Sequence, residues 1–209
     1  MSAGFAFANG AVVINEVLGS TESSDWEFIE LFNTSGAAVD ISGYQIELWD
    51  SDTGAQFGTA DAATPYIVPG GTMIPAGGYF LFANALAEAG FGVTADFLLP
   101  SNAIENSSYT IILSDPTNIV DSVFMTDGGA GDAANRSGAG ITPKSGTFGP
   151  DGTFVPAGFY RVGDGASELA ILEFNYPVPS ATPGSQNIPA PGAFALAGIA
   201  GLAATRRRR

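Results

Sequence analysis

Three glutamates are the residues of this 209-residue chain best suited to chemistry. Glu16 interrupts an apolar run, and Glu27 and Glu30 stand three apart in Trp26-Glu27-Phe28-Ile29-Glu30-Leu31-Phe32. Paired carboxylates act as general acid and base on glycosides when a cleft admits the substrate and the surroundings raise one pKa. A period of two, however, sorts Glu27 with Ile29 and Leu31, and Glu30 with Phe28 and Phe32. Each glutamate therefore shares its side of a strand with apolar neighbours, and a structural or solvated role is expected. Trp26 and Trp49 are read as packing residues rather than as a platform for sugars.

Metal binding is the next chemistry to weigh. Asp50-Ser51-Asp52-Thr53-Gly54 opens like an EF-hand loop, but the sixth and twelfth positions hold Ala55 and Asp61 where Gly and Glu are required. Gly128-Gly129-Ala130-Gly131-Asp132 resembles one RTX repeat with its Asp a place early, and it occurs once. Turn-forming Asp and Gly account for both stretches. No cofactor is expected, and a weakly bound calcium ion is the one exception the acidic loops leave open. Asn33-Thr34-Ser35, Asn106-Ser107-Ser108 and Asn135-Arg136-Ser137 fit the glycosylation acceptor pattern, which is short enough to arise by chance.

What is missing narrows the field further. With no His and no Cys, the chain has no Ser-His-Asp or Cys-His constellation, no imidazole or thiolate zinc site and no disulfide. Residues 1–205 hold 21 acidic groups against three basic ones, Arg136, Lys144 and Arg161. A phosphate backbone would be repelled, so no nucleic-acid partner is expected.

The elements that must position these residues are strands. Tyr44, Ile46 and Leu48 alternate with Gln45, Glu47 and Trp49, and Tyr109, Ile111 and Leu113 repeat the pattern. Between them, Met73-Ile74 leads through a Pro75-Ala76-Gly77-Gly78 turn into an aromatic strand from Tyr79 to Ala83. Asp115-Pro116-Thr117-Asn118 connects the strand ending at Leu113 to one running from Ile119 to Met125, and a last pair is expected at Gly158–Val162 and Leu169–Phe174. Asn84 to Gly90 offers one short helix, with Asn84 as cap and Gly90 as stop. The 28 Gly and 13 Pro suit many turns, and the 45% hydrophobic content supplies a core. An all-β protein of two packed sheets follows. Residues 51–71 and 127–157 are read as long loops.

With the strands laid out, Ile14-Asn15-Glu16, Trp26 to Asn33 and Val39 to Tyr44 resemble the opening of bacterial lamin-tail domains. Pro75 to Asn84, the Ile119–Val123 stretch and the closing Ala181-Thr182-Pro183-Gly184-Ser185-Gln186-Asn187 agree with that family. The resemblance implies an immunoglobulin-like β-sandwich over residues 12–187, with the two long loops as departures. Lamin-tail domains commonly accompany secreted hydrolases and nucleases, so a hydrolase accessory, or a carboxylate- or calcium-dependent hydrolase, is the alternative to a binding or scaffolding domain. A cytoplasmic or nuclear-type scaffold is the third possibility, which the acidic charge opposes.

Residues 188–209 form a separate segment. The apolar run from Ala193 to Ala204 would measure about 18 Å as a helix, short of a bilayer core of about 30 Å, unless residues 188–192 and snorkelling arginines extend it. Pro189-Ala190-Pro191-Gly192, the apolar run and Arg206-Arg207-Arg208-Arg209 together resemble a PEP-CTERM sorting signal, with Ala190 in place of the usual Glu. That resemblance implies an exosortase-type sorting protease as partner and the membrane as a temporary anchor. The positive-inside tendency would keep Arg206–Arg209 cytoplasmic and place the acidic domain across the membrane. Residues 1–11 are read as the remnant of an export signal or a disordered N-terminus, with the true translation start upstream of Met1. The expectation is an exported protein of the cell envelope or extracellular surface, non-enzymatic, meeting an extracellular ligand or matrix polymer through its loops.

Overall fold

The structure, a computed structural model, describes residues 11–19, 25–52, 56–57, 64–106, 108–135, 144–147, 158–172 and 181–187. Its strands in chain order are β1 (Val12–Leu18), β2 (Phe28–Asn33), β3 (Val39–Asp40), β4 (Gln45–Asp50), β5 (Gln56–Phe57), β6 (Tyr66–Ile67), β7 (Met73–Ile74) and β8 (Tyr79–Asn84). Helix α1 (Ala85–Phe91) follows, then β9 (Phe97–Leu99), β10 (Tyr109–Ser114), β11 (Ile119–Thr126), β12 (Lys144–Thr147), β13 (Gly158–Arg161) and β14 (Leu169–Ile171).

One sheet runs β14-β13-β1-β2-β8-β9 and the other β12-β11-β10-β4-β5, with β6 also paired to β4. Neighbours are antiparallel except β8 with β9 and β11 with β12. The inner faces meet in one core that includes Ile14, Val17, Ile29, Leu31, Ile46, Leu48, Phe82, Ile111, Leu113 and Phe159. This is an immunoglobulin-like β-sandwich.

Alternation in β4 is as expected, with Ile46 and Leu48 buried and Gln45, Glu47 and Trp49 partly exposed. β1 reads differently because all seven of its residues are buried. Its outer face is covered as well, so polarity cannot alternate with solvent there. A register shift between Ile14 and Glu16 marks a bulge at Asn15. The extra residue lets Ile14 and Val17 both face the core and turns Glu16 to the outer face, opposite Glu30 of β2.

That outer face carries a second apolar cluster, Leu18, Trp26, Phe28, Leu81, Ala83, Ala87, Tyr160 and Leu172, lidded by α1. The helix starts as expected, with Asn84 Oδ1 accepting the Ala87 N–H. Its end differs from expectation. Gly92, at φ +68°, is the left-handed cap, and its N–H donates to Glu88 O. Gly90 lies inside the helix because the Trp26 ring occupies the space a side chain would need: a Cβ there would collide with Trp26 Cζ2.

The two stretches read as long loops contain ladder pairs. β5 and β6 both pair with β4, and β12 adds to β11. The two-residue β5 and β6 are too short for a period of two to register, and Lys144-Ser145-Gly146-Thr147 of β12 holds no apolar residue to mark one. β7 pairs with β3 rather than folding back on β8. Among the described residues no helix is long and apolar enough to cross a membrane.

Candidate functional site

Glu16 and Glu30 are Cα partners on adjacent strands, and both side chains are 0% exposed. What covers them is the segment 181–187. Thr182 donates its N–H to both oxygens of Glu16, at 3.0 and 3.2 Å, and Gly184 donates its N–H to Glu30 Oε2 at 2.6 Å. The bulge at Asn15 aims its amide the same way: Nδ2 donates to Glu30 Oε1 and to Asp164 Oδ1, while Oδ1 accepts from Gly165 N. Asp164 Oδ1 also accepts the Asn187 N–H, and Asn187 Nδ2 donates to Arg161 O. The bulge, two glutamates, the turn after β13 and the closing segment thus make one clasp.

Its charge balance is unusual. Burial first, then the adjacent Glu30, pushes Glu16 up to about 8, against the Thr182 hydrogen bonds that favour its ionised form. Burial raises Glu30 to about 7 despite the Asn15 and Gly184 donors. Burial and Asp164 hold the Tyr79 hydroxyl well above the ordinary phenol range, so it stays a donor, to Asp164 Oδ2 at 2.7 Å. The nearby Arg161 guanidinium is committed elsewhere, to Asp121 on the other sheet at 2.7 Å and to the carbonyls of Ile14 and Ala166. Thr182 Oγ1 lies 3.2 Å from Glu16 Oε2 and 3.1 Å from Asn187 Oδ1. A protonated Glu16 can donate to that hydroxyl, which then donates onward to Asn187, so every group in the chain of bonds is satisfied.

Glu27 is a separate site on the core side. It precedes β2, is fully buried, and accepts the N–H groups of Ala103 and Ile104 and the amide of Asn84. Burial dominates those donors and raises it to about 7. All three glutamates are buried and hydrogen-bonded within the fold, so the solvated alternative does not hold. None of them opens onto a cleft: a substrate would have to displace 181–187 to reach Glu16 or Glu30.

The remaining candidates are dispersed. Trp26 is a packing residue, edge-on to Phe91 at 5.0 Å, while the partly exposed Trp49 donates its indole N–H to Glu47. Asp50 caps its own turn by accepting the Asp52 N–H; Thr53, Gly54, Ala55 and Asp61 lie outside the described residues. In the RTX-like stretch Asp132 is engaged with Ser108, Thr126 and Gly129 N–H as a turn former. Among the described residues no group of three or more acidic side chains is arranged to hold a metal ion. Asn33 cannot serve as a glycan acceptor in the folded chain, because its buried amide donates to the carbonyls of Ala37, Ile74 and Pro75. Pro189–Gly192, Ala193–Ala204 and Arg206–Arg209 lie outside the described residues, as do residues 1–10.

The family model described as Lamin Tail Domain matches residues 6–127, more than half of the chain. The chain belongs to the lamin tail domain family. No curated protein matches it. The family match stops at Asp127, whereas the lamin tail sandwich of this chain continues through β13 and β14 and is fastened by 181–187. Asn15, Arg161, Asp164 and Asp121 are the members of this network that sequence reasoning left without a role. Asp164 was findable only as a neighbour of Asn15 in space, since 149 positions separate the two in the chain.

Proposed function

We propose that this lamin tail domain is a non-enzymatic binding or scaffolding module, exported and held at the cell envelope or in the extracellular matrix. The observation that carries the non-enzymatic reading is the closure of its carboxylates: the acidic pair that could have done acid–base work is buried beneath the closing segment and bonded by the Thr182 and Gly184 N–H groups and the Asn15 amide. Recognition then falls to the stretches that join the long strands of the sandwich, with 51–71 and 127–157, which carry β5, β6 and β12, as the candidate contact regions for an extracellular ligand or matrix polymer. Residues 12–187 form the sandwich domain in this reading, and 188–209 the sorting segment. Support for export comes from the order of Pro189-Ala190-Pro191-Gly192, an apolar run and Arg206–Arg209. The apolar segment crosses the membrane until a sorting protease of exosortase type cuts near Pro189–Gly192, and the arginines stay on the cytoplasmic side.

Cell fractionation followed by mass spectrometry of both mature termini tests this. Recovery from the envelope or medium, with a terminus near Gly192, is the expected result. Recovery of the intact chain from the cytosol would overturn it. Assays on glycans and phosphodiesters, with and without chelator, are expected to show no turnover.

A further inference from the structure

The clasp has the construction of a latch. Its two carboxylates sit at paired positions on neighbouring strands, fully buried, and accept the Thr182 and Gly184 N–H groups of the closing segment, whose far end is fastened by Asn187 to Asp164 and to Arg161 O. We propose that Glu16 and Glu30 form a proton-dependent latch: while the pair retains a proton, 181–187 stays docked, and when both carboxylates ionise the segment leaves the sheet although the sandwich remains folded.

The groups facing the pair come from every element packed on it. β1 and β2 contribute the two glutamates, β8 contributes Tyr79, and β13 contributes Tyr160 opposite Glu16 and Arg161 beside it. The turn after β13 adds Asp164, a third carboxylate joined to the pair through Asn15. The one guanidinium among them is turned to Asp121 of β11 and to two carbonyls. No described cation therefore offsets the second negative charge. Two like charges this close in a desolvated site disfavour each other, and leaving the segment undocked would return both to water. The docked pair holds its protons to about 7 and 8, whereas an ordinary glutamate releases its proton near 4.5. Raising pH across that interval favours the undocked state. The docked segment contains none of the apolar residues of the inter-sheet core, so its departure leaves that core intact. It also leads in two residues to Pro189, which makes the latch a control on the root of the C-terminal segment.

The absence of cysteine makes the test direct. Gln186→Cys, at an exposed position of the segment, is labelled with a nitroxide in the full chain, and Ala76→Cys in the β7–β8 turn serves as reference. Between about pH 6 and about pH 9 the mobile fraction at 186 is expected to grow about threefold or more, while the reference stays constant. Glu30→Gln should weaken the pH response and Glu30→Gln together with Glu16→Gln should abolish it, while Glu168→Gln on the exposed surface should preserve it. An unchanging spectrum at 186, mobilisation of both labels together, or a pH response undiminished in Glu30→Gln would each overturn the latch. Because Glu30→Gln alone removes the mutual repulsion, the test survives if the double variant does not fold.

Discussion

Glu27 shows how a carboxylate can be structural without a cationic partner. Its oxygens complete two backbone donors, Ala103 and Ile104, in a segment that has no strand to pair with there. Glu27→Ala would leave both N–H groups buried without an acceptor, and the expected loss is about 2–4 kcal/mol in chemical denaturation. The three buried glutamates also set a pH dependence. Each binds its proton more tightly folded than unfolded, with values raised from 4.5 to about 7 or 8. Between those limits the native state carries more protons, so stability falls as pH rises through the interval. Below 4.5 both states are protonated and these groups contribute no further slope. Asp115, held below its ordinary 3.8 by Thr117, acts in the opposite direction, in more acidic solution. The urea midpoint should therefore be lower at about pH 8.5 than at about pH 5.5, and Glu16→Gln should flatten that slope.

At the scale of elements, α1 depends on its fit to Trp26 more than on its seven-residue length. A helix of two turns is marginal alone, and this one is kept by a cap at each end and by Ala87 and Phe91 packing into the outer cluster. Gly90→Ala forces a methyl into the indole and should destabilise the protein by about 1–3 kcal/mol, read as a lower thermal midpoint with altered Trp emission. Gly92→Ala acts through backbone strain instead, at φ +68°, and should be the milder change, about 1 kcal/mol. Sequence pattern placed the helix and its Asn84 cap but chose the wrong glycine as its end, because a helix interior glycine and a capping glycine look alike until the neighbour across the sheet is known.

For the whole molecule, the Arg161–Asp121 pair matters because it joins the two sheets. Asp121 of β11 also accepts the Ile14 N–H of β1, so one carboxylate serves β1 and β13 at once. Arg161→Met leaves that carboxylate without its charge partner, and a loss of about 3 kcal/mol or more in denaturation is expected. Composition and periodicity by themselves determined the all-β class, the strands that present one face to a core, the Asp115–Asn118 hairpin, and the exclusion of His- and Cys-based chemistry. Those are properties of residue type and of spacing along the chain, and they need no partner. Which side Glu16 takes, what covers Glu30, and where Asn15, Asp164 and Arg161 belong were decided by tertiary structure alone. A single-residue bulge inverts the facing of everything after it, and hydrogen bonds across 149 or 166 positions exist only once the sheet has brought β1, β13 and the closing segment side by side.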